Sequence, residues 1–269
     1  MEQDTFYSNQ TTNSREERFD APSLHTINDF YKNTWEFLKG KWLMSVLTSL
    51  VASVITGIVG GIFGAILYVF LFIGIFGAAA TGASFEEPES AMLTSFFIIF
   101  IVAFLVSFIF MFLAKLFVFG PINYGLQNAF LISLRDNKEA NIENIFLAKN
   151  NYIGTVKITG WSVLFIFLWS LLFIIPGIIK AYSYAMIYYI RRDYPELTAN
   201  ECLKLSSQMM DGHKLDLFIL HITFIGLSLL GLCTGGISNF FAAPFIATIM
   251  AQFYEDVKAK YEYYQSAFK

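Results

Sequence analysis

Residues 171–192 read LLFIIPGIIKAYSYAMIYYIRR. Twenty apolar or small residues in a row would cross a ~30 Å hydrocarbon core as one helix. Here Pro176-Gly177 interrupts the run and Lys180 follows. Proline gives up a helix hydrogen bond and glycine tolerates turn backbone. The stretch is therefore either one kinked span or a hairpin turning at Pro176-Gly177, and the choice sets the topology.

The rest of the chain frames that choice. It is 56% hydrophobic and 14% charged, with mean hydropathy +0.55. Soluble domains carry nearer a quarter charged residues. Apolar runs lie at 43–80, 92–119, 158–190, 215–232 and 237–253. One such run can be a buried helix, but several predict an all-α, polytopic helical membrane protein. A β-barrel would alternate apolar and polar residues instead.

Positive charge decides between the topologies, because short cytoplasmic loops collect Lys and Arg. All but two of the 18 basic residues fall in the N-terminal segment, in 132–157, in 191–214 or at the C-terminus. The loop TGASFEEPES, 81–90, has none and carries Glu86, Glu87 and Glu89. The hairpin puts every basic segment on one side and the acidic loop on the other. It predicts about six crossings, near 42–66, 92–118, 157–175, 177–192, 215–232 and 237–254, with both ends cytoplasmic in the cell membrane. Residues 67–80 fit a helix extension, a re-entrant segment or an extra span. Residues 1–25 are expected to form a disordered tail, 26–257 one membrane domain and 258–269 a short cytoplasmic tail. The polar N-terminal segment predicts no cleavable signal peptide.

Three amphipathic stretches are expected to lie on the inner surface, at 27–40, 141–150 and 199–211. The first follows Thr26 with Asp29 three residues on. The last follows Thr198 with Glu201, which matches a capping box, and Gly212 fits its end. Such helices tile the ends of a bundle or meet a partner protein, for which 199–211 is the candidate surface. The glycines at 57, 60, 61 and 64 suit close packing of the first span.

Motifs for chemistry are sparse. There is no H-E-x-x-H, no G-x-S-x-G and no phosphate loop, and the three histidines are scattered. Cys202 and Cys233 suggest no disulfide framework or metal motif. No cofactor, metal or nucleic-acid partner is indicated, and an enzyme is not expected. Intramembrane ionisable residues are the default pointers to function. They are Lys115, Lys180 and His221. Lys180, Ser183 and Tyr184 share a helical stripe with Arg191 and are candidates, with Lys115 and His221, for a polar seam or contacts to an anionic lipid headgroup. Snorkelling of the lysines and simple packing of His221 are the alternatives.

The block from Leu168 to Gly226 resembles a bacterial integral membrane family, catalogued as domain of unknown function 975 and found largely in Gram-positive bacteria. The similarity rests on Ile175-Pro176-Gly177-Ile178-Ile179-Lys180-Ala181, on Tyr182-Ser183-Tyr184-Ala185-Met186, and on Pro195 through Glu201. It extends to Lys204-Leu205-Ser206, Met209-Met210 and Gly212-His213-Lys214. FGPINYGL at 119–126 and AQFYEDV at 251–257 resemble further elements. The resemblance implies a helical membrane fold and no established activity. Three roles stay open: a non-enzymatic scaffold or regulator of membrane-associated partners, a transporter or lipid-handling protein, and an intramembrane enzyme.

Overall fold

The computed structural model describes residues 24–81, 89–233 and 237–267. Residues 82–88 of the acidic loop and almost all of the expected N-terminal tail lie outside them. All regular structure among the described residues is helical. The helices are α1 Ile27–Leu38, α2 Trp42–Thr81, α3 Glu89–Ala114, α4 Gly120–Asp136, α5 Tyr152–Leu172, α6 Ile174–Ser183, α7 Ile187–Asp193, α8 Ala199–Met209, α9 Lys214–Cys233 and α10 Ile237–Ala267. A π-helical turn, Lys115–Phe119, joins α3 to α4, and a 3-10 segment, Ile142–Asn151, leads into α5.

The expected helix starts are present. At α1 the Thr26 side chain accepts from the Asp29 amide while Asp29 accepts from the Thr26 amide. Thr198 and Glu201 do the same for α8. Each pair satisfies two otherwise orphaned N–H groups. Gly212 takes φ +81° just past α8, a conformation other residues adopt at a cost.

α2 runs unbroken for 40 residues, about 60 Å at 1.5 Å per residue. Residues 67–80 are thus a helix extension. Among the described residues, three stretches are long and apolar enough to cross a membrane: Trp42–Phe70, Phe100–Asp136 and Ile142–Leu172. α8 and α9, bent by 87° at their junction, make a fourth if taken together. The expected count of about six is not confirmed among the described residues. α6 and α7 are each under half a span long, and the second half of α10 carries Glu255, Asp256, Lys258, Lys260 and Glu262.

The stretch at 171–192 does fold back on itself, because α6 packs along α5. The turn is not at Pro176-Gly177, however. Phe173 alone is extended, with φ −158° and ψ 148°, and α6 starts at Ile174. Pro176 therefore sits in the first turn of α6, where a missing N–H breaks no helix bond. Gly177 is buried at the contact between the arms, and a Cβ there would lie 2.0 Å from Ser170 Oγ. The pair thus closes the hairpin and does not form its bend. The tip, Leu171 to Ile175, is apolar and exposed.

The expected fourth span, 177–192, is not one helix. The return arm is two short helices, with Tyr184 to Met186 out of helical conformation between them. Pro244, by contrast, does not break the last helix: α10 is continuous across it. The outer faces of α2, α3 and α5 are apolar and exposed throughout their central turns. The packed core lies elsewhere, where α1 and α4 meet α7 through α10. Leu131, Ile190, Met210, Leu217, Ile249 and Phe253 are all under 2% exposed there.

Candidate functional site

The predicted polar residues fall into separate environments. Lys115 is exposed on the π-helical turn and pairs with no described residue. Lys180 projects across the hairpin, its Nζ 5.2 Å from the Trp169 ring and 5.9 Å from the Tyr184 ring. Trp169 lies closer to the hairpin tip than Lys180 does, so the lysine reaches towards the tip with its charge over an aromatic face. His221 belongs to a third group. Its Nδ1 is 2.9 Å from the Leu217 carbonyl, and its ring stands edge-on to Tyr182 and Phe224. Helical stripe reasoning placed Lys180, Ser183, Tyr184 and Arg191 in line. The interruption at Tyr184–Met186 ends that line, and a single seam holding these residues together with Lys115 and His221 is not formed.

Ser183 does mark a built feature. Its side chain is buried and donates to the Ile179 carbonyl at 2.9 Å. Its own carbonyl accepts from Ser206 Oγ at 2.8 Å, and Ser206 Oγ accepts from the Met186 amide at 3.3 Å. One hydroxyl on α8 thus bonds two of the backbone groups at the break between α6 and α7. Unpaired, each would cost about 1–3 kcal/mol. The stripe expected on 199–211, Cys202, Leu205, Ser206 and Met209, is the docking face: all but the half-buried Leu205 are buried, with Leu203 buried beside them. Asn200, Glu201, Lys204, Gln208 and Asp211 face outward.

The strongest polar constellation is one the sequence reading passed over. Asp193, at the end of α7, receives both terminal nitrogens of Arg135 at 2.7 Å, one to each carboxylate oxygen. The Tyr254 hydroxyl donates to Oδ2 at 2.8 Å, and Lys258 Nζ does so at 2.6 Å. Arg135 Nε bonds Glu255 at 2.6 Å. The cluster joins α4, α7 and α10. Tyr254 also stacks on Tyr189, with ring centroids 4.8 Å apart. The Asp193 side chain is only 7% exposed. Burial pushes its carboxyl up, but the bonds from Arg135, Lys258 and Tyr254 overcome this and hold it well below the usual carboxylate range. Burial pulls Lys258 down, and its bond to Asp193 raises it above the ordinary lysine value.

Around this cluster the basic segments touch one another. Lys41 donates to the Asn137 carbonyl at 3.0 Å and to its side chain at 2.6 Å. His25 meets Asp256 at 2.7 Å through its ring and at 3.0 Å through its amide. α1 is fixed further by Tyr31, which donates to Thr223 at 2.7 Å. No group of three or more His, Cys, Asp or Glu side chains suited to a metal occurs among the described residues.

The FGPINYGL element has a physical role in this arrangement. Gly125 faces the backbone of the 3-10 segment, where a Cβ would fall 1.7 Å from the Ile145 carbonyl oxygen. Asn128, one turn on, donates to the carbonyls of Tyr124 and Tyr188, at 2.8 and 3.2 Å. These contacts, and those around Pro176-Gly177, Ser183 and Ser206, give the quoted sequence blocks their structural reason. No curated protein and no solved structure matches the chain. Residues 28–261 match the family described as "Protein of unknown function (DUF975)", and the chain belongs to that family.

Proposed function

We propose that this is a non-enzymatic, multi-pass protein of the bacterial cell membrane that scaffolds or regulates membrane-associated partners. The observation that carries the reading is the use made of Asp193. The best-built polar cluster among the described residues spends its charges on joining α4, α7 and α10. Its groups brace a platform and are not held ready for a substrate. The outward face of α8, with Lys204 and Gln208, lies on that platform and suits a polar protein contact.

In this reading the chain crosses the membrane six times, through α2, α3, α5, the α6–α7 arm, α9 and α10. Contacts of Lys41 with Asn137, Arg135 with Asp193 and His25 with Asp256 support a common side for the basic segments. The positive-inside rule makes that side cytoplasmic. A photo-cross-linker at Lys204 in native membranes tests the scaffold role. A discrete adduct with one protein is expected, and adducts with lipid alone overturn it.

A second reading, lipid or small-solute handling, draws on Lys115. It is an exposed charge on a π-helical turn, a local geometry frequent at functional sites. Movement of lipid or solute by the purified protein in liposomes would support this reading, and its loss in Lys115→Leu would assign the residue.

A further inference from the structure

A cavity of about 390 Å³ lies between the start of α5, the link from α7 to α8 and the start of α8. Gly154, Lys157, Arg191, Glu196 and Thr198 help to line it. Arg191 is fixed in place: one terminal nitrogen donates to the carbonyls of Pro195 at 2.9 Å and Leu197 at 2.6 Å. Its other terminal nitrogen rests against Gly154, where any Cβ would fall 2.4 Å from it. Carbonyl oxygens orient a guanidinium but leave its charge uncancelled. Lys157 is exposed, and neither it nor Arg191 forms an ion pair with a described residue.

Two helix starts converge on the same space. α8 begins behind Thr198, and α5 begins behind Asn151, whose side chain does not cap it. Each such start carries roughly half a positive charge. Glu201 already answers the start of α8 through its capping box, so two cations and the uncapped start of α5 face the carboxylate of Glu196. The remaining terminal nitrogen of Arg191 beside the Lys157 ammonium suits a phosphoryl group, which offers several acceptor oxygens at once. The cavity exceeds the ~30 Å³ share of a water many times over, so the group enters with part of its hydration. Ile153, also in the lining, is 69% exposed and gives the rim an apolar side.

We propose that this cavity binds the phosphoryl group of an anionic ligand, with a phospholipid headgroup as the source that its apolar rim favours. The site stands apart from the scaffold reading and survives its failure. The test uses the full chain, delipidated in detergent, with phosphatidylglycerol and phosphatidylcholine as probes and native mass spectrometry as the readout. Stoichiometric phosphatidylglycerol should bind, with phosphatidylcholine much weaker. The Lys157 side chain bonds no described residue, so Lys157→Gln probes binding without disturbing folding. It should weaken phosphatidylglycerol about tenfold, the loss of one charge-assisted contact. Lys149→Gln, a change of equal charge outside the cavity, should leave binding unchanged. Displacement of the lipid by inorganic phosphate, lost in Lys157→Gln, would retain the site and assign it to a soluble phosphate. Equal binding of both lipids, or equal loss in the two variants, would overturn it.

Discussion

Asp193 shows how unequal single residues are in this chain. Replacing it with Asn leaves Arg135 and Lys258 facing each other without their shared counter-charge. Breaking a buried pair costs about 3–5 kcal/mol, and the one-third exposure of Arg135 points to the low end. Unfolding in detergent should show that loss for Asp193→Asn. Tyr189→Phe should be close to neutral, because the Tyr189 hydroxyl is buried without a described partner. The pH dependence has a definite sign. The folded-state Asp193 carboxyl titrates below its unfolded value, so its contribution is complete above the ordinary carboxylate range near 3.9. It is lost as pH falls from there towards the lowered folded value, and Asp193→Asn should flatten the acid limb. The sequence offered no pointer to this cluster. The partners of Asp193 lie 58, 61 and 65 positions away, and only the fold brings them together.

Elements were more legible where their signals were local. Both capping boxes close within three residues, so Thr26–Asp29 and Thr198–Glu201 announce α1 and α8 without knowledge of the fold. The hairpin was legible as well, through charge, but its bend lies three residues earlier than its proline. Turn chemistry and first-turn helix chemistry both favour proline, and periodicity alone does not separate them. The break at Tyr184–Met186 has no Gly or Pro to mark it. Glycines test the packing directly. Gly177→Ala drives a methyl into Ser170 and should destabilise by about 1–3 kcal/mol. Gly60→Ala meets nothing within 4 Å among the described residues and should be neutral, or stabilising by up to about 1 kcal/mol from helix propensity. Comparing the melting temperatures of the two variants checks both. The small-residue stripe of α2 had suggested internal packing, yet Gly57, Gly60, Gly61 and Gly64 all face open space.

For the whole molecule, composition was enough to indicate a helical protein with helices long and apolar enough to cross a membrane, and charge indicated which segments gather. The count of crossings was less accessible. Apolar length is shared between helices that continue straight, as α2 does, and helices that break, as the α6–α7 arm does. Reporter fusions at Phe85 and Ile145 test the arrangement. The six-crossing topology expects Ile145 inside and Phe85 outside, and the reverse result would restore the kinked single span.

The Ser206 hydroxyl also bears on how the chain is made. The two backbone groups it satisfies belong to Ser183 and Met186, which leave the ribosome 23 and 20 residues earlier. In the six-crossing reading, until α8 is synthesised the return arm of the hairpin enters the bilayer with that carbonyl and amide open, where no water answers them. Insertion of that arm would then be completed late. A ribosome stalled before residue 206 would hold an arm still free to slide back, and one stalled after α8 would hold an arm locked in place.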